Sequence, residues 1–132
     1  MNEDELITGE SRAVKIKQAF FEIRCIKRAV EFIMEENVHL KNHVAEILKN
    51  GFDKKMLGML EDFQSNFIIE DQMIGLLRNE LAQIEELIYR KVSPGDRGFL
   101  QLCDKLKMLH KSTIMAENQF LKLRSDFNES LL

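Results

Sequence analysis

Proline and tryptophan are nearly absent from this chain of 132 residues, which contains one proline and no tryptophan. So little proline argues against a loop-rich or all-β fold. Two cysteines do not form a disulfide framework, so we expect reduced thiols. No stretch without Asp, Glu, Lys or Arg exceeds the seven residues from Phe63 to Ile69, which predicts no membrane-spanning helix.

The charge balance also lacks a dominant sign, with 19 basic against 22 acidic residues and a net charge of −3. This balance does not favour binding to nucleic acid. The 45% share of hydrophobic residues is too high for a disordered chain. The acidic segment Met1–Glu5 does not resemble a secretory signal, and we therefore expect one soluble, cytoplasmic domain over residues 1–132.

Two segments contain the residues that end one helix and begin the next. Gly51 suits the left-handed residue after a helix, and Asp53 suits the cap of the following one. Ser93, Pro94 and Asp96 match a helix start with a capping box. This punctuation predicts three helices, over about residues 10–49, 53–91 and 94–130.

Apolar residues recur alternately every three and four positions within each predicted helix. These seams run from Ile16 to Ile47, from Met56 to Ile88 and from Phe99 to Ser130. A sustained seven-residue repeat indicates helices that pack at shallow angles, as in coiled coils and bundles. We therefore predict an all-α fold of three long antiparallel helices, up-down-up, completed into a larger bundle by oligomerisation.

Large apolar residues also occur away from the seams, where a three-helix rod should be polar. The ones that we predict to form an interaction stripe on the outer faces are Phe21, Phe32, Ile114, Met115 and Leu121. An extended apolar stripe indicates an interface, and a second copy of the chain is the simplest partner. Another helical protein and internal repacking remain as alternatives.

Each seam is interrupted by one polar residue near its middle: Asn37, Glu70 and Thr113. Reflection of the chain about its two turns predicts that these three lie within about one helical turn of each other. A polar layer in an apolar seam lowers stability but fixes the register and the oligomeric state. We predict that role here.

A metal site is the alternative interpretation of the same region. Glu36 and His39 form a Glu-x-x-His element, whose spacing directs both side chains to one helix face, and Glu70 would supply a second carboxylate. Carboxylate-bridged di-metal bundles need two such elements, so a second copy would have to provide the rest. We find no catalytic constellation. The leading hypothesis is a non-enzymatic scaffold or adaptor, without a cofactor, that binds itself or another helical protein.

Overall fold

The structure is a computed structural model that describes residues 9–90 and 97–132, with side chains from Ala13 onward. It contains three helices: α1 (Gly9–Asn50), α2 (Lys54–Arg90) and α3 (Arg97–Ser130). Each helix packs against the other two. The predicted all-α fold is therefore confirmed, and the described helix ends agree with the predicted ones to within a few residues. The predicted capping group of Ser93, Pro94 and Asp96 lies outside the described residues.

The turn between α1 and α2 uses the two residues that the sequence singled out. Gly51 has a φ of 112°, a left-handed conformation that a residue with a side chain rarely adopts. The Asp53 carboxylate accepts a hydrogen bond of 3.0 Å from the backbone N–H of Met56. This bond satisfies one of the amide groups that are left free at the start of α2. The short turn then returns α2 along α1.

Contacts between the helices fix their directions. On α1, Lys27 forms an ion pair of 2.8 Å with Glu85 of α2, whereas Lys41, further along α1, pairs with Asp71, earlier in α2. The two helices therefore run antiparallel. Glu36 of α1 pairs with Arg124 of α3 at 3.2 Å. The ring of Phe32 meets that of Phe120, and His43, further along α1, meets Phe127, further along α3. The helix α3 therefore runs parallel to α1, and the topology is up-down-up.

The core is a single line of side chains along the centre of the bundle. Every buried side chain that the structure describes belongs to one of the three predicted seams. An aromatic cluster closes one end, where Phe127 of α3 contacts Phe63 and Phe67 of α2 with ring centroids 5.1 and 5.3 Å apart. Such pairs contribute roughly 0.5–1.5 kcal/mol beyond the area that they bury.

The structure also bears on membrane-spanning helices and on the two cysteines. Within the described ranges, no helix has a run of residues that is both long enough and apolar enough to cross a membrane. Cys25 on α1 and Cys103 on α3 are both free thiols, as expected. Each is only partly buried.

We predict that Phe127→Ala lowers the free energy of unfolding by about 3–5 kcal/mol, because it opens a cavity among three packed rings. Phe52→Ala is the matched control, since Phe52 is 40% exposed in the first turn, and it should cost less than about 1 kcal/mol. Urea unfolding followed by circular dichroism measures both. Equal losses in the two variants would contradict the packing described here.

Candidate functional site

The five predicted stripe residues lie in three different environments. Ile114 and Met115 are 50% and 63% exposed on the outer face of α3. Leu121, seven residues after Ile114, is half-buried on the same side of that helix. Phe21 is exposed on α1 but lines the groove towards α2, and Phe32 packs against α3. The sequence therefore identified exposed apolar residues correctly on α3, whereas the stripe is not one continuous surface.

Phe32 is partly buried by its neighbours. Its ring meets Phe120 edge-on, with centroids 6.4 Å apart, and the Arg124 guanidinium lies 5.6 Å above its centre. Arg124 also donates a hydrogen bond of 3.2 Å to Glu36. This cation–π contact and ion pair join α1 to α3. Phe32 thus packs between these helices, and its part in an interface remains a prediction.

Asn37 links α1 to α2 through its side-chain amide. The Nδ2 atom donates to the Phe67 carbonyl oxygen at 2.8 Å and to Asp71 Oδ1 at 2.7 Å. Lys41, one turn further along α1, pairs with the other carboxylate oxygen of Asp71. The amide can make both bonds only at one axial position of α2, so this network selects the register of the two helices.

Glu70 lies at the same level as Asn37, because the two α2 residues that bind Asn37 flank it in sequence. Both side chains are buried. Among the described residues, Glu70 Oε2 and Asn37 Oδ1 have no hydrogen-bond partner. Burial raises the pKa of Glu70 above its ordinary value, because the low-dielectric interior disfavours the charged form.

Thr113 is buried as expected but belongs to a different level of the bundle. Its hydroxyl donates to the Leu109 carbonyl in its own helix at 2.8 Å. It lines a groove with Cys25 and Ala29, which lie 8 to 12 positions before Asn37. At about 1.5 Å per residue, Thr113 is roughly 12–18 Å from Asn37 along the rod. Reflection about turns centred near residues 52 and 94 pairs Thr113 with about residue 28 of α1, so the prediction that it shares the level of Asn37 is wrong.

The alternative metal ligands are not gathered within one chain. Glu36 is paired with Arg124, His39 is exposed, and Glu70 is buried in the polar layer. In residues 9–90 and 97–132, no group of three or more His, Cys, Asp or Glu side chains is arranged to hold a metal ion. A site completed by a second copy remains a prediction.

Sequence reasoning missed apolar residues on the outer face of α2. Ile68, Ile69 and Leu76 are exposed there, and Leu76 has the largest exposed fraction of the three, 70%. A signal for them was present, because Ile68 and Ile69 directly follow the seam residue Phe67 and cannot share its inward direction. Exposed large apolar side chains thus occur on all three helices.

Comparison of the chain with protein-family models, curated proteins and solved structures gave no match.

We predict that the stability of the wild type falls relative to Glu70→Gln as the pH rises. The pKa of Glu70 is raised in the folded state. The carboxyl group therefore ionises more readily in the unfolded chain than in the folded one. Above the ordinary pKa this ionisation stabilises the unfolded state relative to the folded state, and below it there is no such effect. The relative loss begins near the ordinary value of 4.5 and ends above the raised folded pKa. Urea unfolding from about pH 4 to about pH 8 measures it. A difference that is independent of pH would contradict burial of the acid.

We also predict that Glu70→Leu raises the free energy of unfolding at neutral pH by about 1–3 kcal/mol, because it removes a buried acceptor that has no donor. The same change should broaden the distribution of oligomeric states, since the layer becomes less specific. Glu61→Leu, at an exposed position of α2, is the control and should leave stability within about 0.5 kcal/mol. Thermal unfolding and sedimentation test both effects. A large loss of stability with unchanged assembly would be the contrary result.

Proposed function

We propose that the chain is a non-enzymatic helical scaffold or adaptor that acts through helix–helix association, first of all with a second copy of itself. The observation that supports this proposal is the exposure of Ile114 and Met115, which are 50% and 63% exposed at adjacent positions on α3. Met108 and Leu121 extend the same face in both directions, seven residues from Met115 and Ile114 respectively. Large apolar side chains grouped on one helix face are typical of an interface.

The α3 face suits a two-fold partner because it is similar in both directions. Antiparallel pairing of two α3 helices about Ile114 and Met115 sets Met108 of one copy opposite Leu121 of the other. Covering each of these half-exposed side chains contributes on the order of 1 kcal/mol. By the lower estimates, the cost of association offsets about half of the sum over both copies, and Lys107 of one copy, which faces Lys122 of the other, lowers the affinity further. The expected dimer is therefore moderate in affinity and depends on concentration.

The polar pair of Asn37 and Glu70 has a supporting role in this proposal. Its network fixes how α1 and α2 align, and their alignment determines where α3 lies against them. A slipped register would leave Asn37 without the Phe67 carbonyl and would bury an unpaired amide, which costs about 1–3 kcal/mol. The polar pair thus favours one alignment of the helices, and with it one arrangement of the residues on the outer face of α3.

The thiols support a binding role in a reducing compartment. Burial is the main cause that raises the pKa of the Cys103 thiol, which disfavours the nucleophilic thiolate. Two free cysteines are usual in proteins of the cytoplasm. We include the cytoplasm in the proposal for this reason.

The test is the mass in solution of the wild type and of the double variant Ile114→Glu/Met115→Glu. We expect the wild type to sediment as a dimer at tens to hundreds of micromolar and the variant to be monomeric, because four carboxylates would meet across the interface. The control is Gln64→Glu/Ser65→Glu, which adds the same charge at two adjacent exposed polar positions of α2, outside the α3 face. A wild type that stays monomeric over this range, or a control that dissociates equally, would refute the proposed interface.

A further inference from the structure

An open groove runs between α1 and α2 on a side of the bundle that the proposed α3 interface leaves free. The groove consists of two adjoining cavities. Both are lined by Lys27 of α1 and Glu85 of α2, whose ion pair marks the boundary between the two halves. Along α1 the lining extends from Val14 to Met34. At about 1.5 Å per residue, this length is roughly 30 Å, which matches a helix of about twenty residues.

The floor of the groove is apolar in both halves. In the first half, Phe20 stacks at a tilt on Tyr89 of α2, with ring centroids 5.1 Å apart. Tyr89 is nevertheless 63% exposed, and Phe21 beside it is also largely exposed. Val30 and Met34 line the second half. Exposed aromatic rings in a concave surface are typical of the anchoring points of a protein interface.

The shape of the groove favours a helix as its occupant. Side chains of one helix fill the space between the ridges of its neighbours, and a helix laid between α1 and α2 would complete a four-helix arrangement. The groove is straight because both walls are continuous helices over its whole length. A partner helix needs an apolar stripe to cover the rings and the Met34 side chain.

The charge of the groove selects the flanks of that helix. Lys27 and Glu85 neutralise each other, and the remaining charged side chains in the lining are Lys17, Arg24, Arg78 and Glu31. Three cations against one anion give a positive rim on a chain whose net charge is −3. Among the described residues, these three cations form no ion pair within 4.0 Å. Acidic side chains on the partner would complement this rim.

The same charges disfavour α3 of a second copy in this position. The outer half of α3 contains Lys107, Lys111 and Lys122 as well as Asp104 and Asp126, so it lacks the uniformly acidic flanks that the rim favours. We propose that the α1–α2 groove binds an amphipathic α-helix of another protein, with an apolar stripe flanked by Glu or Asp residues. This inference rests on the proposed function, because it assigns a second helix-binding face to the same scaffold.

The first experiment measures the charge preference of the groove. The probe is a synthetic, fluorescein-labelled peptide of about twenty residues with Leu and Ile at heptad seam positions and Glu at the flanking ones. The matched probe has Lys in place of every Glu. Fluorescence anisotropy should give a Kd at least about tenfold lower for the Glu peptide, and the difference should shrink as salt rises from about 50 to about 500 mM. Equal binding of the two peptides, or no binding of the Glu peptide, overturns the proposal.

The second experiment locates the binding. Lys17→Glu/Arg24→Glu should weaken binding of the Glu peptide at least about tenfold, and Phe21→Ser should weaken it through lost apolar contact. The control, Lys54→Glu/Lys55→Glu, makes the same change of charge at exposed residues where α2 begins, and binding should stay within about twofold. Circular dichroism confirms that each variant is folded. Unchanged binding in the groove variants overturns the assignment.

Sedimentation of the same samples separates this inference from the proposed self-association. A groove variant that loses peptide binding but remains a dimer supports both proposals. A wild type that dimerises without binding the Glu peptide refutes the groove alone, whereas a monomer that binds the peptide refutes the α3 interface alone. A groove variant that becomes monomeric would show that a second copy occupies the groove, and the inference would fall.

Discussion

The structure depends on one geometric constraint: three helices in mutual contact can bury only the narrow strip of each that faces the other two. With a seven-residue repeat, this strip takes about two positions in every seven. All the buried side chains described here lie in it. Further large apolar residues, such as Leu76 and Met115, are therefore forced outward. The exposed apolar faces follow from the rod shape combined with a sequence that has more apolar residues than three seams accept.

Local features of the sequence were sufficient to predict the helices and the residues that face the core. Gly51 and Asp53 each act on a neighbouring helix end through backbone conformation or one hydrogen bond, so their effect is visible in sequence. The periodicity is equally local, because a residue's direction follows from its position in a regular helix. Burial of Asn37 and Glu70 was predicted on this basis alone.

The partners of side chains on different helices were less predictable, because such contacts join residues that are far apart in sequence. Thr113 was assigned to the level of Asn37, but it lies beside Cys25 and Ala29. Reflection about the turns pairs Thr113 with about residue 28 of α1, so its axial level could be counted from the sequence and the assignment to the level of Asn37 was wrong. Contacts such as Glu36 with Arg124 depend also on how each helix is rotated about its own axis, which reflection does not give. The groove between α1 and α2 was missed because it is formed by contacts of this kind, such as the one between Phe20 and Tyr89.

The two proposed surfaces have different chemistry and can be used at the same time. The α3 face has large apolar side chains and is similar in both directions, which suits a second copy, whereas the groove has a positive rim, which suits an acidic helix. A dimer formed through α3 leaves the α1–α2 groove of each copy open and so presents two equal sites. A partner with two suitable helices would then gain avidity, because its second binding event is intramolecular. Moderate self-association therefore has a consequence for partner binding: the valence of the scaffold rises with its own concentration.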